Sequence, residues 1–443
     1  MSFNIQRRLW ALGLVAIGVF TLTLSTVFAG QDGPSTWKKL GLSSIPVPYD
    51  EVIPDPATML TWDQKERVIG FRNTYRMYDG DVFTPGEAEF TPLVRTKAPF
   101  PVLSYSNNGK KSDITDYIKN QSVTGLLILK NGEIVYEFYG KGNSRKTLWT
   151  SRSVAKSIVS VLMGMAVQDG VIESVDDPIV RYLPELEGSA WEKVTLHQLM
   201  QHTSGIAWNE DYTDPESDFA VMTQCEAGSQ PFECVLELVK TRPAENAPGE
   251  VFSYNNTGGA WLVGALLERV TGMSIAQYLE KKLWQTYPME YDGVWQSLVK
   301  GTVSMGGHGF NATLRDWGRV GLFVQNNGVL PNGERLLPEN WIELSTTWSK
   351  AQDSVTDVTP EGQYGYQWWN LAIDSEANYE PKTAPHSDET FWGLGIYGQY
   401  MGINQKEKIV LIQWSVQENA ESESLEYEQV AFFNALIQAF QDR

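Results

Sequence analysis

Residues 153–170 read SVAKSIVSVLMGMAVQDG, a run that is apolar nearly all round and stops at Asp169-Gly170. Such a stretch closed by glycine predicts a helix buried on every side and ended by a left-handed residue. A helix of that kind needs other elements around its whole circumference, so the chain must build a layered globular fold. One charge breaks the pattern. Lys156 lies in the first turn, three residues after Ser153, and burial disfavours its ammonium form.

The packing partners are legible at both ends of the chain. VTGLLILKNGEIVYEFYG, residues 123–140, holds two β-rich runs joined by Asn131-Gly132, a strong two-residue hairpin signal. GIYGQYMGINQKEKIVLIQWS, residues 395–415, repeats that logic, and LEYEQVAFFNALIQAF (425–440) predicts a terminal amphipathic helix. Between them, TLHQLMQHTSG, SDFAVMTQ, NTGGAWLVGALLERVTG and SIAQYLEKKLW predict short helices and loops, with further helices around Asp316 and Trp341. Strands at both ends with helices between predict one sheet interrupted by a helical insertion.

The N-terminus places Arg7 and Arg8 before an uncharged apolar run closing on Val27, Phe28 and Ala29. This predicts an export signal over residues 1–29, cleaved after about Ala29. The run also approaches the roughly 20 residues that span a bilayer, so retention as a membrane anchor is the competing reading. The protein is expected to be periplasmic or secreted, touching a membrane only through this segment. Residues 30–110, rich in proline, glycine and scattered aromatics, are expected to form an irregular wrap. Export makes a disulfide between the only two cysteines, Cys225 and Cys234, the expected pairing; two buried thiols are the alternative.

Fifty-four acidic against 35 basic residues give a net charge of −19, which argues against a nucleic-acid partner. Phosphate-binding glycine loops and metal-ligand clusters are absent from the sequence, so no cofactor is expected. Oligomeric state is not legible.

Ser153 and Lys156 share one helix face, within reach of proton transfer, and serine becomes a useful nucleophile when an adjacent base takes its proton. The spacing alone is cheap: Ser35 to Lys38 and Ser297 to Lys300 repeat it in polar settings. A second element supports the middle pair. PGEVFSYNNTGGAWLVG sets Tyr254 and Asn256 between a Pro-Gly turn and an apolar helix. A tyrosine beside a lysine cation is expected to have a lowered phenol pKa and to act as a second base. Asn256 is placed to meet a substrate carbonyl. Tyr105 and Asn107 in SYSN are a decoy, in the wrong order and setting.

Taken together, SVAK in a buried helix, YNN a hundred residues on and a late hairpin resemble the serine β-lactamase and penicillin-recognising superfamily. The likeness is greatest to the class C-like branch that includes carboxylesterases and 6-aminohexanoate-dimer hydrolase. LHQLMQHTSGI, NEDYTDPESD, GGHGFNATLRDWGRVGLF and GIYGQ extend it from about Gly125 to Trp414. The resemblance implies an α/β (α+β) fold, a mainly antiparallel sheet flanked by helices, over residues 111–152 and 301–443, with an all-helical domain at about 153–300. It implies Ser153 as the acylated nucleophile, Lys156 as its proton acceptor and Tyr254 as second acid or base. The amides of Ser153 and Ile396 would bind the oxyanion, beside Gly395. Tyr397 would line the acyl pocket, and Tyr212, on a lid loop, would contact the substrate.

One departure matters. The third motif of this superfamily, a cation then a hydroxyl then glycine, falls on Gly393-Leu394-Gly395. The groups that usually hold a substrate carboxylate are missing, which disfavours β-lactam or peptidoglycan substrates and favours a small-molecule ester or linear amide. Penicillin recognition and a non-catalytic binding or sensor protein are the alternatives. A Ser-His-Asp triad is the other rival. Of the four histidines, His197 and His202 read as structural, His308 in GGHGF as bordering the cleft, and His386 carries no assignment; no G-x-S-x-G elbow occurs.

Overall fold

The structure, a computed structural model, describes residues 52–442 except 88–89, 91, 212–213, 227–228, 255–257, 288, 300–302, 349–362 and 372–388. A seven-stranded antiparallel sheet organises the chain. Its strands are β1 (Val123–Lys130), β2 (Glu133–Tyr139), β3 (Gln363–Tyr364), β4 (Trp369–Asn370), β5 (Thr390–Gly395), β6 (Gln399–Asn404) and β7 (Ile409–Ser415). They lie in the order β3-β4-β5-β6-β7-β1-β2. Asn131 and Gly132 take φ of 52° and 80°, the left-handed pair that a two-residue hairpin turn requires, and Lys130 pairs with Glu133 across it.

Both faces of this sheet are covered, which is why its central strands read as continuous apolar runs. Leu127 and Leu129 of β1, with Val410 and Ile412 of β7, point into one core. Leu126, Ile128, Ile409 and Leu411 point into the other. Helices α2 (Val154–Gln168) and α4 (Leu314–Gln325) pack on the first face. Helices α1 (Ile114–Asn120) and α5 (Glu423–Gln441) cover the second, where Phe432, Phe433, Leu436 and Ile437 are sealed from water.

Helix α2 has the predicted bounds. It stops at Gln168, and Gly170 follows with φ of 72°. The stretch 153–300, expected to be all-helical, also supplies the strand Gly293–Val299; of its helices, α3 (Gly258–Thr271) packs against α2, and others are short, at Leu196–Met200, Asp218–Glu226, Pro231–Lys240 and Ile275–Leu279. Cys225 and Cys234 are bonded, their Cα atoms 5.3 Å apart, tying Asp218–Glu226 to Pro231–Lys240. Among the described residues no helix is long and apolar enough to cross a membrane.

A second, smaller sheet fixes the start of α2. Trp149–Thr150 pairs with Phe310–Ala312, which pairs with Gly293–Val299, which pairs in turn with Gly80–Phe83. The Ser151 amide continues the ladder by donating to the Phe310 carbonyl at 2.8 Å. Two residues after this last rung comes Ser153. The N-terminal stretch feeds the same core, since Trp62, Phe71 and Phe83 are buried in it.

Candidate active site

Ser153 is the residue before α2 and the only partly open one in the segment 151–156. Arg152, immediately before it, has φ of 47°, a left-handed conformation costly for a residue with a side chain. Lys156, 2% exposed, holds Nζ 2.9 Å from Ser153 Oγ and donates to the Gly307 carbonyl at 2.8 Å. Burial is the main reason its ammonium is lowered to about 7, with Glu210 pulling weakly the other way. Near neutrality about half of such amines carry a free lone pair beside the hydroxyl.

Tyr254 closes the third side. The Lys156 ammonium lies 5.6 Å from the centre of its ring. The segment is pinned by the Ser253 amide donating to the His202 carbonyl at 2.9 Å, and His202, Tyr364 and Trp369 pack on the ring at 5.0, 5.9 and 5.1 Å. The expected lowering of its phenol pKa is not found. Burial raises it well above the ordinary tyrosine range, and the contact with the Ser153 hydroxyl opposes this only in part. Tyr254 is therefore protonated at rest, suited to giving a proton and passing it on, while the free base is Lys156.

Strand β5 lies alongside. A Cβ on Gly395 would fall 2.7 Å from the Ser151 carbonyl and 3.1 Å from the Ser153 nitrogen. A Cβ on Gly393 would fall 2.9 Å from Ser157 Oγ. The cation missing at position 393 thus has a physical cause, because Gly393 and Gly395 are where β5 meets α2; nothing in the structure explains Leu394 in the hydroxyl position. Among the described residues neither the Ser153 nor the Ile396 amide has a hydrogen-bond acceptor, which leaves two donors beside the hydroxyl.

Other expectations sort as follows. Tyr397 does not line the cleft: it is 2% exposed, its hydroxyl donates to the Leu60 carbonyl at 3.3 Å, and its ring packs on Phe71 under Arg67. Its φ of 62°, in the turn between β5 and β6, sends the ring into the core. Tyr212, Asn256 and His386 lie outside the described residues, as do Ser35, Lys38 and Lys300. His197 meets the Tyr366 hydroxyl at 2.5 Å, away from Ser153. His202 and His308 are both held neutral, lowered to about 3, by burial first and nearby cations second. The decoy pair is structural, Tyr105 and Asn107 both donating to Glu428 Oε1. Sequence reasoning missed the Gly307 carbonyl and Arg152; the GGHGF motif flagged only the neighbourhood.

A model of the beta-lactamase family matches residues 112–433, most of the chain and the span that holds Ser153, Lys156, Tyr254 and β5. The chain belongs to the beta-lactamase family. It is 27% identical over 321 residues to the 6-aminohexanoate-dimer hydrolase of Paenarthrobacter ureafaciens, covering 68% of this chain and 75% of that one. A Bacillus anthracis structure given as a proposed 6-aminohexanoate-dimer hydrolase superposes with a TM-score of 0.71 at 19% identity, over 90% of this chain and 98% of that one. A family VIII carboxylesterase gives 0.52 at 16% identity, over 74% and 95%. At that identity the structures speak for the beta-lactamase-like fold, and the family assigns the chain to the serine hydrolases.

Proposed function

We propose that the protein is an exported serine hydrolase that cleaves an ester or linear amide bond of a small molecule through an acyl-serine intermediate. The observation that carries this reading is the buried Lys156 amine, 2.9 Å from Ser153 Oγ and lowered to about 7. Neutral Lys156 takes the Ser153 proton as Oγ attacks the carbonyl. The developing oxyanion accepts from the Ser153 and Ile396 amides. Tyr254 gives its phenol proton to the departing alcohol or amine and regains one from Lys156. Water then attacks the acyl-enzyme, deprotonated along the same route, and Ser153 is released. The bonded Cys225–Cys234 pair supports export, because disulfides persist in oxidising compartments.

Gly393 and Leu394 favour this over penicillin recognition, since they leave no cation or hydroxyl on β5 at those positions. The test is intact mass and peptide mapping after a fluorophosphonate, on wild type and Ser153→Ala. One adduct on Ser153, absent from the variant, is expected. No adduct on folded wild type overturns the mechanism and leaves a binding or sensor protein. Rapid turnover of a chromogenic cephalosporin would reinstate penicillin recognition.

A further inference from the structure

The two amides assigned to the oxyanion come from different sheets. Ser153 follows Trp149–Thr150, a strand of the smaller sheet, while Ile396 opens the turn between β5 and β6 of the larger one. The two sheets are separate ladders, so β pairing does not set the distance between the donors. Donors that stabilise a transition state have to be held to within about 0.5 Å, and a bond between the sheets is needed to do it.

Gln399, the first residue of β6, makes that bond. Its side chain is sealed from water and its amide is engaged at both ends. Oε1 accepts from the Trp149 indole at 2.8 Å and from the Ser415 amide at 3.2 Å. Nε2 donates to the carbonyls of Ser415 at 2.8 Å, Tyr397 at 3.1 Å and Ile396 at 3.2 Å. The oxygen meets N–H groups and the nitrogen meets carbonyls, so the amide fits in one orientation only.

What the bridge joins is rigid on each side. Trp149 stacks on Trp414 with ring centres 5.5 Å apart and meets Phe71 edge-on at 5.8 Å. The Ser151 amide, bonded to Phe310, carries that position on towards Ser153. In the turn, the Tyr397 amide donates to the Ala420 carbonyl at 2.8 Å and Gln413 Nε2 to the Gly398 carbonyl at 3.2 Å. The close approach of Gly395 to the Ser151 carbonyl limits how near the sheets come. The Gln399 bond limits how far they part.

We infer that Gln399 is the positioning residue of the oxyanion hole: by tying the Trp149 indole to the Ile396 and Tyr397 carbonyls, it sets the separation of the Ser153 and Ile396 amides. This rests on the acyl-serine reading and adds to it the part that holds two sheets in register at the reaction centre.

The experiment breaks the bridge from either end. Gln399→Met keeps the bulk of the side chain and loses every bond, while Trp149→Phe keeps a ring in the core and loses the indole N–H. The probe is a fluorophosphonate, whose phosphoryl oxygen takes the place of the oxyanion. Its reaction with Ser153 is resolved into a maximal rate and a half-saturating concentration, counted per site labelled at completion. Gln399→Met is expected to lower the maximal rate about 10- to 100-fold and Trp149→Phe about 3- to 10-fold, with half-saturation within about threefold of wild type. The double variant should be no slower than Gln399→Met, because both changes break one bond. The pH midpoint of labelling should stay where wild type has it, since Lys156 is untouched.

A wild-type maximal rate in Trp149→Phe overturns the inference, even where Gln399→Met fails to fold. Losses that multiply in the double variant, or a displaced pH midpoint, also overturn it, because they mark general damage to the core. These outcomes leave the acyl-serine reading standing as long as wild-type Ser153 is labelled. No label on folded wild type sinks both.

Discussion

Gly395 stands where a side chain would touch the Ser153 amide: its missing Cβ would lie 3.1 Å from that nitrogen and 2.7 Å from the Ser151 carbonyl. Backbone cannot yield as a flexible side chain would, so Gly395→Ala has to push β5 away from the start of α2. If the Ser153 and Ile396 amides bind the oxyanion, the separation between the two donors then widens. The expected result is a loss in kcat of about 10- to 100-fold with a smaller change in KM. Steady-state kinetics on a short ester checks it, and an unchanged kcat would remove Gly395 from the argument.

The pH profile has a fixed sign. Lys156 must be neutral to accept the Ser153 proton, and its amine is lowered to about 7. Labelling of Ser153 should fall about tenfold per pH unit below 7, reach about one hundredth of its plateau at pH 5, and level off above about 8. His202 and His308, lowered to about 3, stay neutral throughout and add no limb. Labelling rate against pH is the measurement; a rate flat from pH 5 to 8 would exclude Lys156 as the base.

Glu428 anchors the far face of the sheet. Its carboxylate, 1% exposed, accepts from Tyr105 at 2.8 Å, from Asn107 and Asn120 at 2.7 Å and from Gln121 at 3.2 Å. Glu428→Ala strands these donors and should cost about 2–4 kcal/mol in urea unfolding. Glu428→Gln keeps one acceptor oxygen and should cost less. Equal losses would mean that packing, not hydrogen bonding, holds α5 in place.

The Cys225–Cys234 bond closes a short loop. Replacing both cysteines by serine should lower stability by about 2–3 kcal/mol. Hydrogen exchange should rise first in Asp218–Glu226 and Pro231–Lys240, leaving α2 protected. Loss of protection across α2 as well would show that the bond supports more than its own helix pair.

What the sequence made legible follows periodicity and local chemistry. The Asn131-Gly132 hairpin, α2 with its stop at Gly170, and the Ser153–Lys156 pair are all written in neighbouring residues. The signals that failed are non-local. Tyr254 was expected to be acidified by a neighbouring cation, but rings from three other segments bury it and reverse the shift. The family resemblance put Tyr397 in the acyl pocket, and its positive φ in the turn after β5 goes with a ring buried in the core instead. Arg152 carried no signal in the sequence; only the assembled core shows its guanidinium buried on the ring of Phe71.

Strand β1 is hydrogen-bonded on one side to β2, three residues on, and on the other to β7, where Ile409 pairs with Lys130 and Leu411 with Ile128. The middle of the sheet therefore joins two segments that lie far apart along the chain. A nascent polypeptide that has not yet produced Ile409–Ser415 lacks the strand that joins β6 to β1, so the β5–β6 hairpin has nothing to hold it beside the Ser153–Lys156 pair. The site is therefore assembled by a long-range pairing, and β7 has to dock on β1 before the nucleophile has its neighbouring strand.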